Sequence, residues 1–164
     1  MGNQIYPELS PDLMLSIARE RLARQLSFLD SLDTKLAALL TGGSTLLGLL
    51  AAVLALRPAE AGVGGWVALA FASLAFAVLA HNAITHLDPR RWAIGTDVDL
   101  LWGDHFHQDE HLLRWETAMD YLLYYEENEP KYSAKVDAVR RASKALVIET
   151  AALLAGLAFV AVAG

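Results

Sequence analysis

The feature that most restricts this chain is a stretch of 21 residues, 36–56, without a single charged side chain. At about 1.5 Å per residue such a stretch reaches ~31 Å as a helix, the thickness of a bilayer's hydrocarbon core. Residues 66–87 form a second uncharged run, opening on Trp66, a residue type that favours the membrane interface. Residues 145–164 form a third, broken only by Glu149. With 55% hydrophobic against 20% charged residues and a mean hydropathy of +0.34, the chain is too apolar for a soluble domain of 164 residues. Apolar residues blocked into three long runs cannot all be inner faces of amphipathic helices around one small core. The expected fold class is an all-α membrane protein: three transmembrane helices, and a cytoplasmic helical bundle formed by extensions of the membrane helices.

The expected divisions are an amphipathic N-terminal segment (1–35), a first span (36–56), an outer loop (57–65), a second span (66–87), a cytoplasmic helical hairpin (88–144) and a third span (145–164). Residues 1–34 are polar and lack a basic region followed by an apolar one, so no signal peptide is expected to be removed. Lys and Arg near the span ends set orientation. The loop between spans one and two carries only Arg57, whereas Lys35, Arg90, Arg91, Arg140, Arg141 and Lys144 lie at the opposite ends. That asymmetry places the N-terminus and residues 88–144 in the cytoplasm and the C-terminus at the outer face of the cell's inner membrane.

Leu15, Leu22, Leu26, Leu29 and Leu36 recur at spacings of three, four and seven, which predicts an amphipathic helix running from about Pro11 directly into span one. Thr96 with Asp99 resembles a capping box, and Gly103 is a candidate break. Leu112, Trp115, Met119, Leu122 and Leu123 carry a helical period, and Asn128-Glu129-Pro130 reads as the end of that helix. From Lys131 a further helix can run unbroken through span three.

With no cysteine, disulfide frameworks, thiolate nucleophiles and iron–sulfur sites are excluded together. The chain has no phosphate-binding glycine loop, nucleophile elbow or dinucleotide fingerprint, so no enzyme class is indicated. A net charge of −6 gives no general attraction for nucleic acid.

Three constellations remain. Asp104, His107 and His111 share one helical face, next to His105, and His107 to His111 fits a short zinc-protease spacing; no feature selects a further zinc ligand, and a solvated, pH-sensitive face is the simpler reading. Within the spans, His81, Asn82 and His86 close span two, and Glu149 sits in span three. Counted from Leu87 and Lys144, His81 lies ~9 Å deep and Glu149 ~7.5 Å, so a polar pair of Glu149 with His81 or Asn82 is expected, acting as a gate. The alternative is an interfacial Glu149 that reaches water alone. For packing, Ser44, Gly48 and Ala52 on span one and Ala152 and Gly156 on span three follow the small-xxx-small pattern that permits close helix approach, within one protomer or in a homo-oligomer.

A polar helix ending in Asp33-Thr34-Lys35 leads into span one with its Gly42-Gly43-Ser44, a short hairpin follows, and Asn128-Glu129-Pro130-Lys131, then Lys135, precede span three. Over residues 20–164 this order resembles the small prokaryotic membrane proteins related to Pycsar effector transmembrane proteins and, more loosely, SLATT membrane effectors of antiphage defence. The resemblance implies an effector that answers a cyclic-nucleotide or related second messenger made by a cognate signalling enzyme and then impairs the inner membrane.

Three functions are therefore weighed. The first is a non-enzymatic, signal-gated, oligomeric effector acting on the lipid bilayer, with Arg90, Arg91, Arg140 and Arg141 as contacts for an anionic ligand or lipid headgroups. The second is a membrane scaffold that docks a protein partner on Glu126, Glu127 and Glu129. The third is a metal-responsive membrane protein built on His105, His107 and His111, with zinc as its ion.

Overall fold

The computed structural model describes residues 10–87 and 109–163. The zinc candidates Asp104, His105 and His107, the ligand candidates Arg90 and Arg91, and the Thr96–Asp99 capping box lie outside the described residues. Three α-helices carry the described part: α1 (Pro11–Leu56), α2 (Pro58–Leu87) and α3 (Glu110–Ala163). Each contains a segment long and apolar enough to cross a membrane.

Local chemistry accounts for the helix ends. Ser10 precedes α1, its carbonyl accepting from Met14 N at 3.0 Å, and Pro11 occupies the first turn, where a missing N–H costs nothing. Asp109 caps α3: its carboxylate accepts from His111 N at 3.2 Å and its carbonyl from Leu113 N at 3.0 Å. Arg57 alone separates α1 from α2. Of the expected loop 57–65, residues 58–65 are helical except at Gly62, where φ is +53° and ψ −170°, a kink only glycine takes without strain. The helix end expected at Asn128-Glu129-Pro130 is absent as well. Pro130 lies inside α3 and is exposed, as is Glu126, whose carbonyl loses its partner to the proline; that carbonyl sits where water can replace the lost bond. Glu126, Glu127 and Glu129 consequently belong to a continuing helix and not to a hairpin tip.

The described chain divides into two compact units, one of residues 10–30 and 109–133, the other of 31–87 and 134–163. In the first, α1 and α3 lie parallel, tied by Arg114 to Asp12 and by Gln25 to Tyr125 and Glu129. In the second, α1 and α3 again run parallel, with Lys135 beside Asp33 and Gly156 beside Leu50, and α2 is antiparallel to both.

Buried positions on α1 and α3 follow a seven-residue repeat, the period of helices that wind around one another. On α1 these are Leu22, Leu29, Leu36, Gly43 and Leu50; on α3 they are Asn128, Lys135, Ala142, Glu149 and Gly156. The membrane-type unit has two apolar clusters, one around Leu36, Leu79, Ala83, Ala142 and Ala145, the other around Leu50, Leu54, Ala72, Leu153 and Val160. Size is matched across the helices. At Gly156 an added Cβ would stand 3.1 Å from both Leu50 Cδ1 and Ala68 Cβ, so this glycine lets three helices meet.

Candidate functional site

Between the two apolar clusters lies a layer made by Gly43 on α1, Phe76 and Leu79 on α2, and Glu149 on α3. The Glu149 side chain is fully buried, and among the described residues neither carboxyl oxygen has a hydrogen-bond partner. A Cβ at position 43 would stand 2.9 Å from Glu149 Oε2, 3.1 Å from Phe76 Cδ2 and 3.2 Å from Leu79 Cδ1. Gly43 thus provides the space that the acid occupies. A carboxyl inside an apolar helix junction is expensive, and such residues take up a proton, bind a cation or change partners with conformation.

The expected partners of Glu149 are engaged elsewhere. Asn82 Nδ2 donates to the Val78 carbonyl at 2.7 Å, and its Oδ1 accepts from Arg141 Nε at 3.0 Å. His86 Nδ1 lies 3.0 Å from the Asn82 carbonyl, to which its N–H donates in that tautomer, and 2.9 Å from Thr85 Oγ1; His81 is exposed. The expected depths assumed that Leu87 and Lys144 stand at one level. Instead Asn82 meets Arg141, and the acid lies with Phe76 and Leu79 of α2 beside Gly43. The fit of Glu149 to Gly43 and of Gly156 to Leu50 and Ala68 sets this register, not the ends of the uncharged runs. Arg141, expected to hold a ligand or headgroup, is committed to Asn82, while Arg140 stays exposed, 3.7 Å from Asp137.

The two sets of small residues part company. Ala152 packs against the apolar cluster and Gly156 is buried, whereas Ser44, Gly48 and Ala52 are all exposed, and a Cβ at Gly48 would meet nothing within 4 Å. That face of α1 is left open by the described residues.

The other unit holds a second polar arrangement. Arg114 bridges α1 and α3 by contacting Asp12 and Glu110, both first-turn acids of their helices. Hydrogen bonding to Asp12 first, then to Glu110, holds the guanidinium above its ordinary pKa. Further along, Arg21, Arg24, Phe28, Tyr125, Glu129 and Tyr132, with Gln25 at the back, line a groove of about 280 Å³. Gln25 Nε2 donates to the Tyr125 carbonyl at 3.2 Å and to Glu129 Oε2 at 3.3 Å, while the buried Oε1 has no partner among the described residues. Arg24 pairs with Glu20 at 2.5 Å on the exposed surface, and Arg21 has no ion pair among the described residues. Cations, aromatic faces and an amide on one wall are the groups that hold a planar ring bearing an anionic substituent. Sequence reading passed over this groove because its residues are nearly a hundred positions apart; Arg21, Gln25 and Phe28, spaced by three and four, are the local trace of it.

His111 is exposed in the first turn of α3, and among the described residues no group of three potential metal ligands comes together. No family model matches this chain, and neither a curated protein nor a solved structure is similar enough to it to match.

Proposed function

We propose that this protein is a non-enzymatic, oligomeric inner-membrane effector, gated by a small anionic ligand of the cyclic-nucleotide class, that perturbs the integrity of the bilayer. The observation that carries the reading is the groove of Arg21, Arg24, Phe28, Tyr125 and Tyr132 in a chain with three helices able to cross a membrane. In this reading the arginines hold the phosphate, the aromatic rings stack on the base, and Glu129 meets the ring's N–H groups. The resemblance to Pycsar effector transmembrane proteins favours the same class of ligand. The open Ser44, Gly48 and Ala52 face of α1 supports assembly of several copies, which three helices need before they can enclose a path through the bilayer. The Lys and Arg asymmetry of the span ends supports a cytoplasmic groove.

The test is thermal unfolding of the detergent-solubilised protein against a panel of cyclic mononucleotides, followed by dye release from vesicles holding the reconstituted protein. A ligand that binds only the folded state raises the midpoint. The expected result is a rise with one nucleotide, abolished in Arg21→Gln/Arg24→Gln, and dye release that depends on the same compound. A folded sample that shifts with no nucleotide sinks this reading and makes a scaffold that docks a protein partner the better account.

A further inference from the structure

A second groove, of about 290 Å³, runs between α1 and α3 in the membrane-type unit and is lined by Lys35, Ala38, Leu39, Val139, Ser143 and Leu146. Its wall divides by chemistry. Lys35 and Ser143 stand at the end where α1 and α3 change from charged to uncharged sequence, and Ala38, Leu39 and Leu146 continue into the uncharged runs. Lys35 makes no ion pair among the described residues, nor does Lys144, the exposed neighbour of Ser143. The nearby acids are already engaged: Asp33 stands 2.5 Å from Lys135 and Asp137 is 3.7 Å from Arg140. An uncompensated cation and a hydroxyl above an apolar channel, at the level where a bilayer changes from headgroup to hydrocarbon, match the division within a phospholipid.

We propose that this groove binds one phospholipid, with Lys35 Nζ and Ser143 Oγ on the phosphate and an acyl chain laid along Ala38, Leu39 and Leu146. Because Lys35 and Lys144 make no ion pair among the described residues, a net-anionic headgroup is preferred to a zwitterionic one. The inference rests on α1 and α3 crossing a membrane but not on the gating ligand. Its residues share nothing with the aromatic groove, so either reading can fail while the other stands.

Native mass spectrometry of the protein in a mild neutral detergent tests it, with phosphatidylglycerol, phosphatidylcholine and glycerol 3-phosphate as probes. The expected result is one retained phosphatidylglycerol, held about fivefold more tightly than phosphatidylcholine, a preference that Lys35→Gln removes. Leu39→Trp, which fills the apolar part and keeps both charges, is expected to lose both lipids. Glycerol 3-phosphate, which has the phosphate and no chain, is expected not to bind. Ser143→Ala serves where Lys35→Gln fails to fold, with weaker binding of both lipids expected, since each carries the phosphate that Oγ meets. Unchanged lipid retention in the folded variants would reduce the binding to ordinary annular lipid and overturn the proposal. Binding of glycerol 3-phosphate as tight as that of the lipid would overturn it in favour of a plain phosphate site.

Discussion

Lys135 and Glu149 occupy the same position of the seven-residue repeat on α3, two repeats apart, and both side chains are buried. Around Lys135 the neighbouring helix supplies an opposite charge, Asp33, in a close ion pair at 2.5 Å. Around Glu149 it supplies Gly43, which offers room and no polar group. One site spends its polar residue on holding α1 to α3, whereas the other keeps an acid in reserve among apolar neighbours. The difference teaches that burial of a charge by itself does not reveal its purpose; the partner does. A paired buried ion serves register and orientation, and an unpartnered one in a membrane helix marks a place where something must bind or move.

That contrast breaks most visibly at Asp33. Asp33→Ala removes the charge facing Lys135 and is expected to cost about 2–3 kcal/mol, read by chemical unfolding in mixed micelles. A loss below ~0.5 kcal/mol would mean that the pair does not hold the helices. Glu149→Met is expected to have the opposite sign, a gain of roughly 1–2 kcal/mol, because an unsatisfied buried carboxyl gives way to a flexible apolar chain. If the same variant destabilises the protein, the acid has a partner in solution and the contrast with Lys135 disappears. Gly43→Ala is expected to cost about 1 kcal/mol through overpacking against Glu149, Phe76 and Leu79, and distinctly less when combined with Glu149→Ala. Strict additivity of the two changes would disprove the close approach. The smallest effect is expected at the open face of α1: Ser44→Leu should leave protomer stability within about 0.5 kcal/mol while weakening cross-linking between copies in membranes. A large loss of protomer stability would place Ser44 in the fold of the single chain.

Much of the architecture is legible in the residues. The three uncharged runs coincide with helices able to cross a membrane, Pro11 opens α1, and Leu22, Leu29 and Leu36 are buried on the face that their spacing selects. Three features resisted the same reading. Pro130 has the form of a helix stop, yet an exposed proline can remain inside a long helix where water replaces the lost bond. The small residue of α1 that Glu149, Phe76 and Leu79 surround is Gly43, one position from the familiar spacing of Ser44, Gly48 and Ala52 and not part of it. The polar groove of Gln25, Tyr125 and Glu129 joins residues whose nearness depends on the register of α1 against α3.

The sequence by itself determined which segments are helical and apolar enough to enter a membrane, because length and hydrophobicity are sums over neighbouring residues and need no knowledge of packing. Only the tertiary structure decided that Glu149 faces Gly43 and not Asn82, that Arg141 is held by Asn82, and that Lys135 finds Asp33. Those choices turn on a helix register of a few residues, and that register is set by where small side chains let the backbones approach, a property of pairs of helices and not of any one stretch of chain.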